Sequence, residues 1–201
     1  MINREGIHQS AEQIIDIADW PVHEDYEVFP VGARDKSLRI CPSNSPSFCI
    51  PGHKYLFKEA IKSAKDPSKP KFPDQYWSEI IAFKIGRLMK LSIPPAFVAF
   101  NSDTGQPGAL VEWFTGYPNQ ASERFTPGGD HMQRLIENYD RNKGRKHNLQ
   151  TIILLSKALT HSKRLNSPWI KYWGLCLCYD AVIGNTDRHQ ENWGILWDEE
   201  T

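Results

Sequence analysis

Long apolar runs are missing from this sequence, and so is any net charge: 24 Lys plus Arg balance 24 Asp plus Glu. The first absence leaves no stretch near the ~18 apolar residues of a spanning helix, so no membrane span is expected. The second removes the electrostatic basis for general binding to nucleic acid or to an anionic membrane. Cysteine is scarce as well. There are four, Cys41, Cys49, Cys176 and Cys178, with no C-x-x-C pair. A chain of 201 residues with 40% hydrophobic content can build a core and needs no disulfide framework. Cys176 and Cys178 stand two apart in an expected helix and so point in different directions, which predicts buried free thiols rather than a metal site. His53, His131, His147 and His161 show no H-x-x-x-H spacing, which argues against zinc. No apolar segment follows Met1 to Glu5, so no secretory leader is read and a soluble cytoplasmic protein is the expectation. Neither G-x-G-x-x-G nor a Walker A sequence occurs, and no internal repeat is visible.

What is present is a patterned α+β chain. Ile7, Ala11, Ile14, Ile15 and Ala18 recur at helical spacing, and Ser10 with Gln13 resembles a capping box, so a helix is predicted over Ser10–Asp19. Glu27–Ile40 reads as extended around a tight turn at residues 32–36, and Cys41–Gly52 as a Pro- and Ser-rich loop. His53–Lys58 reads as a strand with Tyr and Phe on one face and Leu and Lys on the other. A lysine- and proline-rich loop over residues 63–74 leads to an amphipathic helix marked by Trp77, Ile80, Ile81, Ile85, Leu88 and Met89. Ser92–Pro95 ends that helix. Ala96–Phe100 and Ala109–Phe114 form a predicted hairpin. Beyond Gly116 the chain turns polar, with helices predicted over His131–Tyr139, Leu149–Thr160 and Pro168–Ile183, then a strand over Trp193–Trp197. The order predicts a β-rich lobe over residues 1–114 and a helical lobe over 115–201, with a cleft between them.

The most specific stretch is Gly184-Asn185-Thr186-Asp187-Arg188-His189-Gln190-Glu191-Asn192-Trp193. Asp187 and Asn192 have the D-x-x-x-x-N spacing of a kinase catalytic loop, in which the Asp accepts a hydroxyl proton and the Asn offers oxygen to Mg²⁺. An Asn- and Asp-rich helix-to-strand turn would have a similar composition. The apolar strand that follows and the apolar helix that precedes favour the catalytic reading. Arg188 and His189 are placed to fix the loop or neutralise charge. Phosphoryl transfer also needs a lysine on the phosphates and a carboxylate to orient it. Lys58 ends an aromatic strand and is the favoured lysine. Lys54 and Lys62 compete with it, and alternation puts Lys54 and Lys58 on one face. Glu79, early in the helix after the Pro-rich loop, is the candidate partner, or else an exposed acid favoured by the helix dipole. Backbone N–H groups of Gly32, Ala33 and Arg34 form either a phosphate nest or an ordinary hairpin turn. Glu112 to Phe114 end the last strand of the first lobe, where backbone groups would meet an adenine ring, or where a plain buried strand would stop.

Together these features resemble the HipA-like kinases, the toxin kinases of bacterial toxin–antitoxin systems and their relatives. The resemblance rests on H-K-Y-L-F-K at His53–Lys58 and N-T-D-R-H-Q-E-N-W-G-I-L at Asn185–Leu196. It extends, more weakly in the middle, from about Phe29 onward. The D-R-H-x-x-N run is also similar to the catalytic loop of phosphatidylinositol kinases. The resemblance implies a bilobal protein-kinase-like fold, ATP and Mg²⁺ as cofactors, Asp187 as catalytic base, Asn192 as metal ligand and Lys58 as the ATP lysine. It implies a protein substrate and an antitoxin partner, with no direct contact to nucleic acid or membrane. The family places a second metal-binding Asp at the end of a strand returning after the loop. Asp198 is expected in the turn after Trp193–Trp197 and is not given that role. The chain therefore reads as a C-terminally truncated Ser/Thr kinase, with a non-catalytic nucleotide- or partner-binding remnant and a small-molecule or lipid kinase as the alternatives. Ser37, Ser43, Ser45 and Ser47 are candidate phosphate acceptors.

Overall fold

The computed structural model describes residue 4 and residues 6–23, 36–61, 63–66, 69–162, 165 and 168–198. In chain order the elements are β1 (Ile15–Asp16), β2 (Lys36–Ile40), β3 (Lys54–Glu59), α1 (Trp77–Leu88), β4 (Ala96–Asn101) and β5 (Gln106–Glu112). They continue with β6 (Glu123–Pro127), α2 (Gly128–Leu135), α3 (Leu149–His161), α4 (Trp169–Ile183) and β7 (Gly194–Asp198). The chain divides into two compact units, Met1–Gln120 and Ala121–Thr201.

In the first unit, period-two alternation buries both faces of a five-stranded sheet ordered β1-β4-β5-β3-β2. Tyr55, Phe57, Phe97, Ala99 and Leu110 face one core, which is closed by Ile15, Ile17, Trp20, Cys41 and Cys49. Ala96, Val98, Ala109 and Val111 face the other, where Ile80 and Phe83 of α1 pack. The β3–β5 register opposes Leu56 to Val111 and Lys58 to Ala109, so Lys58 lies on the face that α1 covers. Leu56 is buried as well, as befits an interior strand of the sheet. Gly108 permits the β3–β5 approach, since a Cβ there would stand 2.5 Å from the Phe57 ring and 2.7 Å from the Lys58 carbonyl oxygen.

The predicted helix over Ser10–Asp19 does not form. Gln13 N–H donates to the Ser10 carbonyl at 3.1 Å and Gln13 Oε1 accepts from Ser10 N–H at 3.3 Å, so the capping contacts exist within a turn that no helix follows. The chain then enters β1, parallel to β4 through Ile15–Ala99 and Asp16–Phe100. Ile15 and Ile17 are buried whereas Ile14 is 65% exposed, a strand period that the close-set isoleucines concealed.

The second unit holds the β6–β7 ribbon and three helices around Met132, Tyr139, Ile152, Leu155, Trp173 and Trp193. Strand β6 has no counterpart in the sequence reading, because its partner lies about 70 residues on and only Phe125 and Thr126 carry strand character. Helix α2 begins earlier and ends earlier than predicted. Gly128 and Gly129 are its first residues, and their N–H groups donate to the Trp193 and Gln190 carbonyls at 2.8 and 2.9 Å. Asp198 is the last residue of β7, paired with Glu123, rather than part of a turn. Cys41 and Cys49 are buried free thiols, but Cys176 is only half-buried and Cys178 is exposed. Among the described residues no helix is long and apolar enough to cross a membrane.

Candidate functional site

In the first unit the structure brings Lys58 and Glu79 together, Nζ to Oε2 at 3.1 Å with each side chain 25% exposed. Glu79 sits in the first turn of α1, and the residues just before that helix are tied to those just after β3, where Gln75 Oε1 accepts from Ile61 N–H at 3.1 Å. An ion pair this open to water contributes at most about 1 kcal/mol to stability. Its physical effect is to hold the ammonium in one direction. Lys54 lies at the other end of β3, opposite Ile40, and Lys62 is outside the described residues. Gly32, Ala33 and Arg34 are outside them too.

Glu112 ends β5 with its side chain fully buried. Its carboxylate accepts from Arg4 Nε and Nη2 at 3.1 and 2.8 Å, from the Tyr55 hydroxyl at 3.0 Å and from the Tyr117 hydroxyl at 3.0 Å. Such saturation is what lets a carboxylate remain buried. Burial, followed by the Glu112 charge, pushes the Tyr55 hydroxyl well above its ordinary range. The Glu112 N–H donates to the Pro95 carbonyl at 2.8 Å and the Trp113 N–H to Lys54 at 2.9 Å. The Trp113 carbonyl accepts from His53 Nε2 at 2.7 Å, and His53 stacks on Tyr117 at 4.2 Å. The structure thus makes Glu112 a packing anchor whose N–H is already committed, and leaves half-buried Phe114 beyond this bonded corner.

The second unit carries the loop from Gly184 to Trp193. Helix α4 stops at Gly184, whose φ of +69° is the left-handed cap that glycine adopts without strain. The next residues fold back onto Asp180, in the last turn of α4. Asn185 N–H reaches the Asp180 carbonyl and Asn185 Nδ2 reaches Oδ1, both at 2.8 Å. Arg188 grips the same carboxylate through Nε at 2.8 Å and Nη2 at 2.6 Å, and its Nη1 donates to the Asn192 carbonyl. Burial pushes the Asp180 carboxyl up, but hydrogen bonds from Arg188 and Asn185 and the guanidinium charge outweigh it and hold Asp180 below the ordinary carboxylate range. Asp180 is the loop-holding residue that sequence reading missed. Its signal was there, an acid in a helix whose other charge is Lys171 alone.

That clamp leaves Asp187 turned outward, its side chain 76% exposed. Its N–H donates to Asn185 Oδ1 at 3.1 Å. Asn192 Nδ2 donates to the Asp187 carbonyl and lies 3.3 Å from Oδ2. The amide of Asn192 is thereby oriented with nitrogen on Asp187 and Oδ1 directed elsewhere. His189 accepts from Glu191 N–H through Nδ1 at 3.1 Å, which leaves Nε2 as the protonated nitrogen, 3.6 Å from Asp187 Oδ1. Among the described residues no group of three or more His, Cys, Asp or Glu is placed to hold a metal. Asn192 Oδ1 is a hard oxygen donor of the kind that Mg²⁺, which takes few protein ligands, accepts.

No protein-family model matches the chain. No curated protein matches it either. Among solved structures it is similar to the crystal structure of a Helicobacter pylori proinflammatory kinase, CtkA, with a TM-score of 0.60 and 16% identity. The match covers 94% of this chain and 56% of that one, so the chain spans little more than half the neighbour's length. With the mixed sheet and helices above, it gives the chain a kinase-like α+β fold.

Proposed function

We propose that this chain binds Mg·ATP and carries the catalytic loop of a phosphotransferase, a Ser/Thr protein kinase of HipA-like type. The observation that carries the reading is the Asn192 amide fixed on Asp187 with its oxygen directed away, in a loop clamped by Asp180 and Arg188. The bond from Asn192 Nδ2 to Asp187 fixes which way the amide faces, and the exposed Asp187 carboxylate stays open to an acceptor hydroxyl. The Lys58–Glu79 pair supports the same reading from the first unit.

In this mechanism Lys58 contacts the nucleotide phosphates and Glu79 keeps its ammonium extended toward them. Asn192 Oδ1 would hold Mg²⁺, and the ion would neutralise charge on the transferring phosphoryl group. Asp187 accepts the proton of an acceptor hydroxyl as that oxygen bonds to the γ-phosphorus and the bond to the ADP oxygen breaks.

Mg·ATP binding by thermal shift, alongside γ-phosphate transfer, tests this. Asp187→Asn is expected to lower transfer by at least about 100-fold while leaving the shift in place. Lys58→Met is expected to reduce the shift itself. Absence of any Mg·ATP shift in the unaltered chain would overturn the nucleotide reading. Binding without transfer would point to the non-catalytic reading. Trials of protein, lipid and small-molecule hydroxyls then separate the acceptor classes.

A further inference from the structure

The residues of the loop after His189 are held by the segment just after β6. Gln190 gives its carbonyl to Gly129 N–H at 2.9 Å and its side-chain Nε2 to the Arg141 carbonyl. Trp193 gives its carbonyl to Gly128 N–H at 2.8 Å, and its indole N–H donates to His147 Nε2 at 2.8 Å. Glu191 is gripped by Arg141 through two parallel bonds, Nε to Oε1 at 2.7 Å and Nη2 to Oε2 at 2.6 Å. The third arm of that guanidinium goes to Asp130 in the first turn of α2. Hydrogen bonding from Glu191 raises the Arg141 guanidinium above its ordinary range, so it is charged at every working pH. The fit is close, because a Cβ on Gly129 would collide with Glu191 and stand 2.8 Å from Arg141 Nε.

Asn192 lies in the middle of these contacts. Its own bonds run within the loop, to Asp187 and from Arg188. We infer that Arg141 is a positioning residue for the metal-binding asparagine, bracing Glu191 so that Asn192 Oδ1 is held at a fixed place and angle. This rests on the proposed Mg·ATP reading. A fork is needed because a single ammonium cannot hold both Glu191 oxygens and Asp130 in one plane. Among the described residues the Arg141 side chain bonds to Glu191 and Asp130 and not to Asp187 or Asn192, so its guanidinium acts through Glu191, while its backbone carbonyl accepts from Gln190 Nε2.

The test is the Mg²⁺ concentration that gives half of the ATP-induced thermal shift, compared with ATP binding in EDTA. Residues that orient a metal ligand typically change metal affinity by about 10- to 100-fold. Arg141→Met is expected to raise the half-saturating Mg²⁺ by about 10-fold or more, Arg141→Lys to fall between it and the unaltered chain, and metal-free ATP binding to stay unchanged. Glu191→Gln gives the same readout with a smaller disturbance, and decides the matter if Arg141→Met does not fold. Asn148→Ala is the control, because it destabilises the same unit through the α3 cap without touching the loop. A Mg²⁺ requirement within about two-fold of the unaltered chain in Arg141→Met and Glu191→Gln, or an equal rise in Asn148→Ala, would overturn the inference. Loss of all Mg·ATP binding in the unaltered chain would instead overturn the nucleotide reading on which it rests.

Discussion

Asp180 accepts hydrogen bonds from Arg188 and Asn185 with 7% of its side chain exposed, so its charge is held by partners rather than by water. Asp180→Asn leaves Arg188 without its counter-ion in a half-buried place and is expected to cost about 3 kcal/mol in urea unfolding of the second unit. The carboxyl is depressed in the folded state, so its contribution is complete above the unfolded value near pH 4 and is lost as pH falls through the folded value. The unaltered chain should therefore lose stability more steeply below about pH 4 than Asp180→Asn does. Glu79→Gln should behave in the opposite way. It removes a water-exposed ion pair, so stability should change by less than about 1 kcal/mol while ATP affinity falls. An equal loss of stability in both variants would show that Glu79 is a structural residue.

At the level of elements, the helices that the sequence displays most plainly are those with both an apolar period and an end signal. Helix α3 is one, opened by Asn148, whose Oδ1 accepts from Thr151 N–H at 3.0 Å. Asn148→Ala is expected to lower the stability of the second unit by about 1 kcal/mol in denaturant unfolding. Helix α4 is another, closed by Gly184 at positive φ. Gly184→Ala should cost about 1 kcal/mol and loosen the entry to the loop, measured as faster amide exchange at Asn185. The elements that escaped notice lack such marks. Strand β1 is two residues long and needs β4 beside it, and β6 acquires its partner only when β7 returns to it. Local sequence carries no record of a partner so far along the chain.

Taken as a whole, the chain stakes the second unit on two histidines that are kept neutral. His131 is buried, and its imidazole is held below the ordinary range by burial and then by Arg134. His147 is lowered by burial and then by His189, and must be unprotonated at Nε2 to accept from Trp193. Both pKa values are depressed on folding, so their stabilising effect is complete above about pH 6.5 and is lost as pH falls through the folded values. Unfolding of the second unit should become easier between about pH 7 and pH 5, and His131→Leu should flatten that dependence. Sequence alone determined the catalytic-loop candidate, the strand lysine, the alternating strands and the amphipathic helix, because each is a short-range pattern set by backbone period and side-chain type. Tertiary structure decided that Lys58 meets Glu79, since Lys54 shares its face but lies at the other end of β3. It also decided that Asp180 and Arg141 hold the loop, Asp180 from the last turn of the preceding helix and Arg141 from 50 residues away. A carboxylate's role depends on what lies within about 3 Å of it, and for most of these groups that neighbour is distant in sequence.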